Sequence, residues 1–538
     1  MKNCVLLVMW LVALCASGPS FAQVETTPAQ SQVLSVPVGS AGQDVDVEAI
    51  RSAISEARVR WGVPGLAVSI VRDGQVIFSE GFGVRELGRE ELVDGDTLFA
   101  IASNSKAFTS AALAILEEDG VLDLSDRVQK YLPWLQLYDP WVSSELRIDD
   151  LLCHRSGLGT FSGDLLWWGT PYSPEEVLRR ARHLKPEGQF RASYGYSNLM
   201  FLAAGEVIAK ASGNSWSDFV AQRILKPVGM NRTLASVSAL QSTSNIATPH
   251  KPTPESVTPI PWVNWDTMAA AGGIISSTND MAKWLIVQLN RGELPDGTSL
   301  FSRRSSDRMW KVHNVMSVSS GYQKRFPSTH FRGYGLGWVL SDYKGRMTVS
   351  HGGGYDGMYS HVLMVPDENL GIVVLTNSMT GISPAIANTV MDRYLGGSQR
   401  EWLTEDLVTD RKGRLDFHDR IEKTVAATVT GTQPSRSLDA YAGEFRCPLY
   451  GDASVTKEGQ GLVLRLLPNE HLIADLEHIQ FDTFRIRWRN QFAWFGDGTI
   501  QFVPDAKQVF QQLRLDVPND DLWFYELDFR RIGSREDE

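Results

Sequence analysis

Cysteine is scarce in this 538-residue chain: there are four, and two of them, Cys4 and Cys15, fall in an amino-terminal segment expected to be removed. Cys153 and Cys447 remain, far apart in sequence. A chain of this length buries core enough without covalent staples. No disulfide framework is therefore expected, and both thiols read as small buried side chains. That reading includes Cys153, whose neighbour His154 would otherwise suggest a thiol nucleophile. Positive charge is also in deficit. Lys and Arg number 52 against 63 Asp and Glu, a formal charge of −11, and no basic arm makes up the difference locally. Nucleic acid is excluded as a partner on that ground. Beyond the amino end no apolar run approaches the ~20 residues a membrane helix needs, so the mature chain should not span a bilayer. His-Glu-x-x-His, the phosphate-binding loop and the Gly-x-Ser-x-Gly elbow are all missing, and the ten histidines show no metal-ligand spacing. Neither a metal nor an organic cofactor is expected.

What the amino end does contain is an address. Lys2 precedes an apolar run over residues 5–16, and Ser20-Phe21-Ala22 places small residues at the two positions a signal peptidase reads. Residues 1–22 are therefore expected to be a signal peptide cleaved after Ala22, giving a secreted or periplasmic protein. Residues 23–44 are a polar Thr-, Pro-, Gln- and Ser-containing leader.

Elements follow in a telling order. A helical stripe over 46–60 (Val47, Ile50, Ile54, Ala57) leads into two apolar runs split by Asp73-Gly74, a hairpin signal. A helix should open near Ser103 and end at Gly120, with Phe108, Ala111, Ala112, Ile115 and Leu116 on one face. Ser173-Pro174-Glu175-Glu176 and Ser277-Thr278-Asn279-Asp280 read as helix caps. Strands are expected over 334–340, 347–350, 361–365 and 371–375, then a helix over 383–395. The pattern predicts an α+β fold: an antiparallel sheet flanked by helices with an all-helical subdomain, over residues 45–397. Residues 398–437 form a helical linker. Short strands with turn residues at about ten-residue spacing then predict a small antiparallel β-barrel over 438–538. Those strands fall at 462–466, 472–476, 481–488, 491–495, 512–515 and 522–528. Trp488, Trp494 and Trp523 read as core aromatics of that module, and Trp167-Trp168 as ordinary packing.

The chemistry concentrates in three places. Ser103-Asn104-Ser105-Lys106 has the Ser-x-x-Lys spacing that two other segments share, at Ser341 and Ser454, but only Ser103 lies at the start of an apolar helix. There i and i+3 share a face, so hydroxyl and amine project together, and the helix dipole favours negative charge at the serine. A lysine in a dry pocket loses basicity; it can take the serine proton or depress a nearby tyrosine. Tyr196-Ser197-Asn198 is the sequence's single Tyr-x-Asn, placed before an apolar helical run. His351-Gly352-Gly353-Gly354 is its single His-x-Gly, placed after a strand. Glycines there let a substrate backbone approach and pair with a sheet edge.

These three motifs in this order resemble the serine β-lactamase and penicillin-binding protein superfamily, most nearly its class C β-lactamase-like branch of D-alanyl-D-alanine carboxypeptidases, D-aminopeptidases and carboxylesterases. Val63-Pro64-Gly65, Leu151 to Leu158 (LLCHRSGL), Ala271-Gly272-Gly273 and Gly335-Leu336-Gly337-Trp338 are similar too. The tail from Leu438 resembles a β-barrel extension carried by some members. The resemblance implies Ser103 as acylated nucleophile, Lys106 as its partner and Tyr196 as general base and acid. It implies Asn198, His351, Gly353 and Gly354 as substrate-binding positions, Asn198 holding a substrate amide or orienting Lys106. The Ser103 and Gly354 N–H groups would form an oxyanion hole. His351 stands where relatives carry lysine, and Gly352 where they carry a hydroxyl, so a peptidase or esterase is implied before a β-lactamase. The expected partner is a small-molecule or peptide substrate, with oligomeric state left open. The alternative is a non-catalytic sensor or binding protein on the same scaffold.

Overall fold

Asp46 starts the first helix, α1 (Val47–Trp61), by accepting from the Ala49 N–H, and left-handed Gly62 (φ 67°) closes it. Both answer backbone groups that a helix end leaves open. The chain doubles back through β1 (Gly65–Arg72) and β2 (Gln75–Gly83). The turn between them, Asp73-Gly74, has φ of 51° and 75°, the paired positive values of a tight hairpin turn. The computed structural model describes residues 46–396 and 400–532. The expected signal peptide and leader lie outside those residues.

Six further strands complete the main sheet: β3 (Asn314–Met316), β4 (Arg332–Tyr334), β5 (Val339–Tyr343), β6 (Arg346–Tyr355), β7 (Met358–Val365) and β8 (Leu370–Thr376). Their order is β2-β1-β8-β7-β6-β5-β4-β3. The first hairpin therefore pairs with the last strand, Leu66 opposite Thr376. Strands β1 and β8 are buried along their length, because helices cover both faces. Five more helices matter here: α2 (Ser105–Glu118), α3 (Asn198–Ser212), α4 (Thr278–Leu289), α5 (Ile382–Tyr394) and α6 (Trp402–Ala426). α4 packs on β1 and β8 from one side, and α5, backed by α1, packs on β7 and β8 from the other. α2 and α3 pack together in the helical layer beside the sheet.

Helix α2 is anchored by a ring stack: Phe108 lies 4.1 Å from Trp284 of α4, at an interplanar angle of 17°, and both rings are fully buried. Trp284→Ala removes that support and leaves a cavity. A loss of about 3–5 kcal/mol is expected for such a truncation, read as a lower denaturant midpoint at unchanged slope.

Two strand expectations need correction. The single strand over 334–340 is broken: Gly335 N bonds to Trp338 O and Gly337 takes φ 78°, so the chain leaves the sheet between β4 and β5. The glycines of His351-Gly352-Gly353-Gly354 do not follow a strand; they are inside β6. Pairing with β7 runs on to Tyr355 opposite Met358, whereas pairing with β5 stops at Ser350 opposite Val339. Beyond Ser350 one edge of β6 is therefore open, and a weak strand former is held in the extended state by its one partner.

After α6 the chain forms a closed eight-stranded antiparallel barrel of β9 (Gly443–Cys447), β10 (Gly451–Glu458), β11 (Gly461–Leu466), β12 (Ile473–Gln480), β13 (Thr483–Trp488), β14 (Gly498–Pro504), β15 (Phe510–Asp516) and β16 (Phe529–Arg531). Tyr441, Phe484, Phe502 and Phe510 pack inside it. Two expected strands, 491–495 and 522–528, are not strands. The first is a loop, and the second holds the short turn Phe524–Glu526. Their aromatics serve contacts with the rest of the chain. Trp168 packs against Phe492 and Phe495 at 5.5 Å each, so Trp167-Trp168 is indeed packing. Cys153 and Cys447 are buried free thiols, and burial lifts Cys153 to about 12, too high for a nucleophile.

Candidate active site

The segment before α2 is wound tighter than the helix. Ala102–Asn104 forms one 3-10 turn, and Ala102 itself takes φ 45°, a conformation a non-glycine residue adopts at a cost of roughly 1–3 kcal/mol. The strained residue stands immediately before Ser103, which it turns toward the open edge of β6. Two bonds fix this turn to β7: Asn104 Nδ2 donates to Ser360 Oγ at 2.8 Å, and Ser360 Oγ donates to the Ile101 carbonyl at 2.7 Å. Gly353 explains its own identity here. A Cβ on it would stand 2.3 Å from Ile101 O, 2.5 Å from Ser360 Oγ and 3.0 Å from Ser103 N. Only glycine lets the strand and the serine turn meet so closely.

Lys106, one turn on, is fully buried. Its Nζ donates to Ser103 Oγ at 3.0 Å, to Asn198 Oδ1 at 2.7 Å and to the Ala271 carbonyl at 2.9 Å. All three ammonium donors would thus have acceptors, yet none of these is a direct counter-charge. Burial pulls the amine down to about 7, with Asp164 pulling the other way. The amine also sits 4.8 Å from the centre of the Tyr196 ring. Tyr196 is hydrogen-bonded to Ser103, and burial holds its phenol well above its ordinary value despite that bond. The phenol therefore keeps its proton at rest. Ser103, Lys106, Tyr196 and Asn198, scattered over the chain, are brought into one cluster.

His351 also joins the cluster, but as a neutral ring. Its Nδ1 is 2.6 Å from the Gly352 carbonyl, which can only accept, so Nδ1 carries the proton and Nε2 accepts from the Tyr334 hydroxyl at 2.8 Å. Burial and the nearby Lys106 push it down to about 3. It cannot supply a fixed cation for a substrate carboxylate. Gly354 is approached from the barrel: a Cβ on it would stand 3.1 Å from the tip of Trp494.

Two residues of the cluster were given no role by motif reading, although His154 lies within the Leu151 to Leu158 stretch. Asp164 accepts from Asn198 Nδ2 at 2.6 Å and from Trp167 Nε1 at 3.0 Å. With its nitrogen committed to Asp164, the Asn198 amide must turn its oxygen to Lys106. Burial raises the Asp164 carboxyl, opposed by those two donors. His154 (φ 59°) lies under Tyr196, ring centres 4.2 Å apart, and its Nδ1 accepts from Ser197 N at 3.0 Å. A signal for Asp164 was available: it is a single charge leading the apolar run Leu165 to Trp168. Among the described residues no group of His, Cys, Asp and Glu could hold a metal ion, and no helix is long and apolar enough to cross a membrane.

Comparison with known proteins agrees with this fold. The family model described as Beta-lactamase matches residues 50–394, and one described as a domain of unknown function (DUF3471) matches residues 427–531. The unguisins hydrolase ungD' of Aspergillus campestris is 31% identical over 419 residues, covering 74% of this chain and 75% of its own. Among solved structures, the octameric penicillin-binding protein homologue from Pyrococcus abyssi superposes with a TM-score of 0.58 at 23% identity, over 88% of this chain and 98% of that one. A D-stereospecific amidohydrolase from Streptomyces sp. superposes with a TM-score of 0.50 at 25% identity, over 62% of this chain and 94% of that one.

Proposed function

We propose, since the chain belongs to the β-lactamase family, that it is an exported serine hydrolase forming an acyl-enzyme on Ser103. The bond cleaved is an amide or ester, with peptides containing D-amino acids as first choice and carboxylic esters second. The observation that carries this reading is the buried Lys106 amine 3.0 Å from Ser103 Oγ, its basicity lowered by burial to about 7, so that a large share of it is the free amine near neutral pH. A neutral amine next to a hydroxyl is a base in place. The neutral His351 and the absent hydroxyl at Gly352 argue against a substrate anchored by its carboxylate, and so against penicillin-type substrates. The relatives named for hydrolysis of unguisins and for D-stereospecific amide hydrolysis point the same way.

In this mechanism Ser103 Oγ attacks the substrate carbonyl carbon while its proton passes to Lys106 Nζ. The carbonyl oxygen becomes an oxyanion held by the Ser103 and Gly354 N–H groups at the open edge of β6. Each such donor is worth about 3–4 kcal/mol. Collapse of the tetrahedral intermediate breaks the bond to the leaving amine or alcohol. Tyr196 gives that group its proton and regains one from the Lys106 ammonium through the hydrogen-bonded cluster. Water then repeats the sequence on the acyl-enzyme, and Ser103 is released.

Acylation is tested directly. A fluorophosphonate probe is expected to add one label per chain, mapped by peptide mass to Ser103. Turnover is then sought among D-amino-acid amides, short acyl esters and a chromogenic cephalosporin, with the amides and esters favoured. A label mapped to another residue, or none from several acylating probes, would count against the assignment.

A further inference from the structure

The barrel touches the hydrolase region where the catalytic segment is supported. Residues 160–164 form a short loop with two working sides. One side holds the tyrosine strip: Tyr196 N donates to Thr160 Oγ1 at 3.2 Å, Phe161 N donates to the Tyr196 carbonyl at 2.8 Å, and the Phe161 ring meets the Tyr196 ring edge-on at 5.3 Å. The same side ends in Asp164, which sets the Asn198 amide and through it Lys106. Phe161 takes φ 62°, a conformation such a side chain keeps only when surroundings impose it.

The other side of the loop is held by the barrel. Glu526 divides its carboxylate between two donors, accepting from Ser162 Oγ at 2.5 Å and from Gly163 N at 2.9 Å. Trp523 Nε1 donates to the Thr160 carbonyl at 2.6 Å. Three polar contacts thus come from one barrel segment, residues 523–526, whose aromatic-rich sequence imitates a strand. Burial raises the Glu526 carboxyl, but both of its oxygens are engaged by donors that oppose that rise.

We propose that Glu526 and Trp523 are positioning residues for the hydrolytic reaction. They clamp the 160–164 loop so that Tyr196 and the Asp164–Asn198–Lys106 chain stand in reacting geometry around Ser103, which makes the barrel an integral part of the catalytic apparatus. This rests on the serine hydrolase reading above. No group of the barrel needs to touch substrate for it to hold. The barrel acts through backbone and amide geometry, where a displacement of about 1 Å can cost on the order of 10²-fold in rate.

The test compares full-length wild type with Glu526→Ala, Glu526→Gln and Trp523→Phe by two measurements. The first is hydrogen–deuterium exchange of peptides spanning 159–166 and 194–200, which needs no activity. Glu526→Ala is expected to speed exchange in both peptides, while exchange in β1 and β8 stays at the wild-type level, showing that the fold holds. Glu526→Gln can still accept from Gly163 N and donate to Ser162 Oγ, so it is expected to restore most of the protection. The second is steady-state turnover of a small acyl ester. Glu526→Ala is expected to lower kcat by about 10²-fold with KM near the wild-type value, and Trp523→Phe by less, since its ring remains. Unchanged exchange at 194–200 in Glu526→Ala overturns the clamp whatever the activity. Faster exchange with unchanged kcat overturns its catalytic meaning. A wild type whose turnover does not depend on Ser103 instead overturns the hydrolase reading, and leaves exchange to decide the clamp.

Discussion

Ser103→Ala lowers kcat by about 10⁴-fold or more on whichever amide or ester the wild type turns over best, while the unfolding midpoint moves little. The two halves of this expectation have separate causes. Without Oγ no acyl-enzyme forms, and only the oxyanion donors and substrate binding remain. In other serine hydrolases that remainder is about 10³–10⁴ above water, against a loss near 10⁶ for the nucleophile. The fold survives because the hydroxyl carries none of the packing. Lys106 keeps two of its three acceptors, Asn198 Oδ1 and the Ala271 carbonyl. The turn itself is fixed by Asn104 and Ser360. Tyr196 loses one partner, and a phenol next to a half-exposed position can bond to water instead. Steady-state rates and a denaturant titration on the same preparation read both halves. Activity within tenfold of wild type would place the nucleophile elsewhere and end the proposal for Ser103.

The sequence makes this centre legible because its chemistry depends on short-range spacing. Ser103 and Lys106 must be three apart, Tyr196 and Asn198 two apart, and the glycines must lie on a strand edge. Each constraint survives in one dimension. Asp164 has no such spacing. Its role comes from folding a loop against α3, which no local pattern records, and only its isolation before an apolar run hints at it. The barrel shows the opposite failure. Its closure could be foreseen from strand spacing, yet residues 491–495 and 522–528 were expected as strands because apolar, aromatic-rich runs fall there at that spacing. In the fold Phe492, Phe495 and Phe524 are buried, while Trp494 reaches Gly354 and Trp523 reaches Thr160. A short aromatic-rich run reports burial; it does not say that part of it faces another region of the same chain. Gly352 to Gly354 mislead for a related reason, since low strand propensity was overridden by pairing with β7.

Lys106 carries the second large effect, and its sign can be worked out. In the proposed mechanism the free amine is the reacting form, and burial pulls its pKa down to about 7 from the ordinary 10.5. The kcat/KM of wild type should therefore rise with pH through about 7 and level off above it. No fall from Tyr196 ionisation is expected near 10, because the phenol is held well above its ordinary value. Lys106→Met is expected to lower kcat/KM by about 10³–10⁴-fold, the range of a general base, and to remove the rise near pH 7. Stability should respond in the same pH window with a definite direction. The folded amine binds its proton more weakly than the unfolded one, so between about 7 and 10.5 the unfolded state holds more protons. Unfolding free energy contributed by this group then increases with pH across that window and is lowest below about 7. In Lys106→Met that increment disappears, so the stability difference between wild type and variant changes with pH although neither loses its fold. An acid limb that stays near pH 7 in the variant would assign the titration to another group. A wild-type limb near 10 would mean that the amine is wet, and a wet amine could not deprotonate Ser103 at neutral pH.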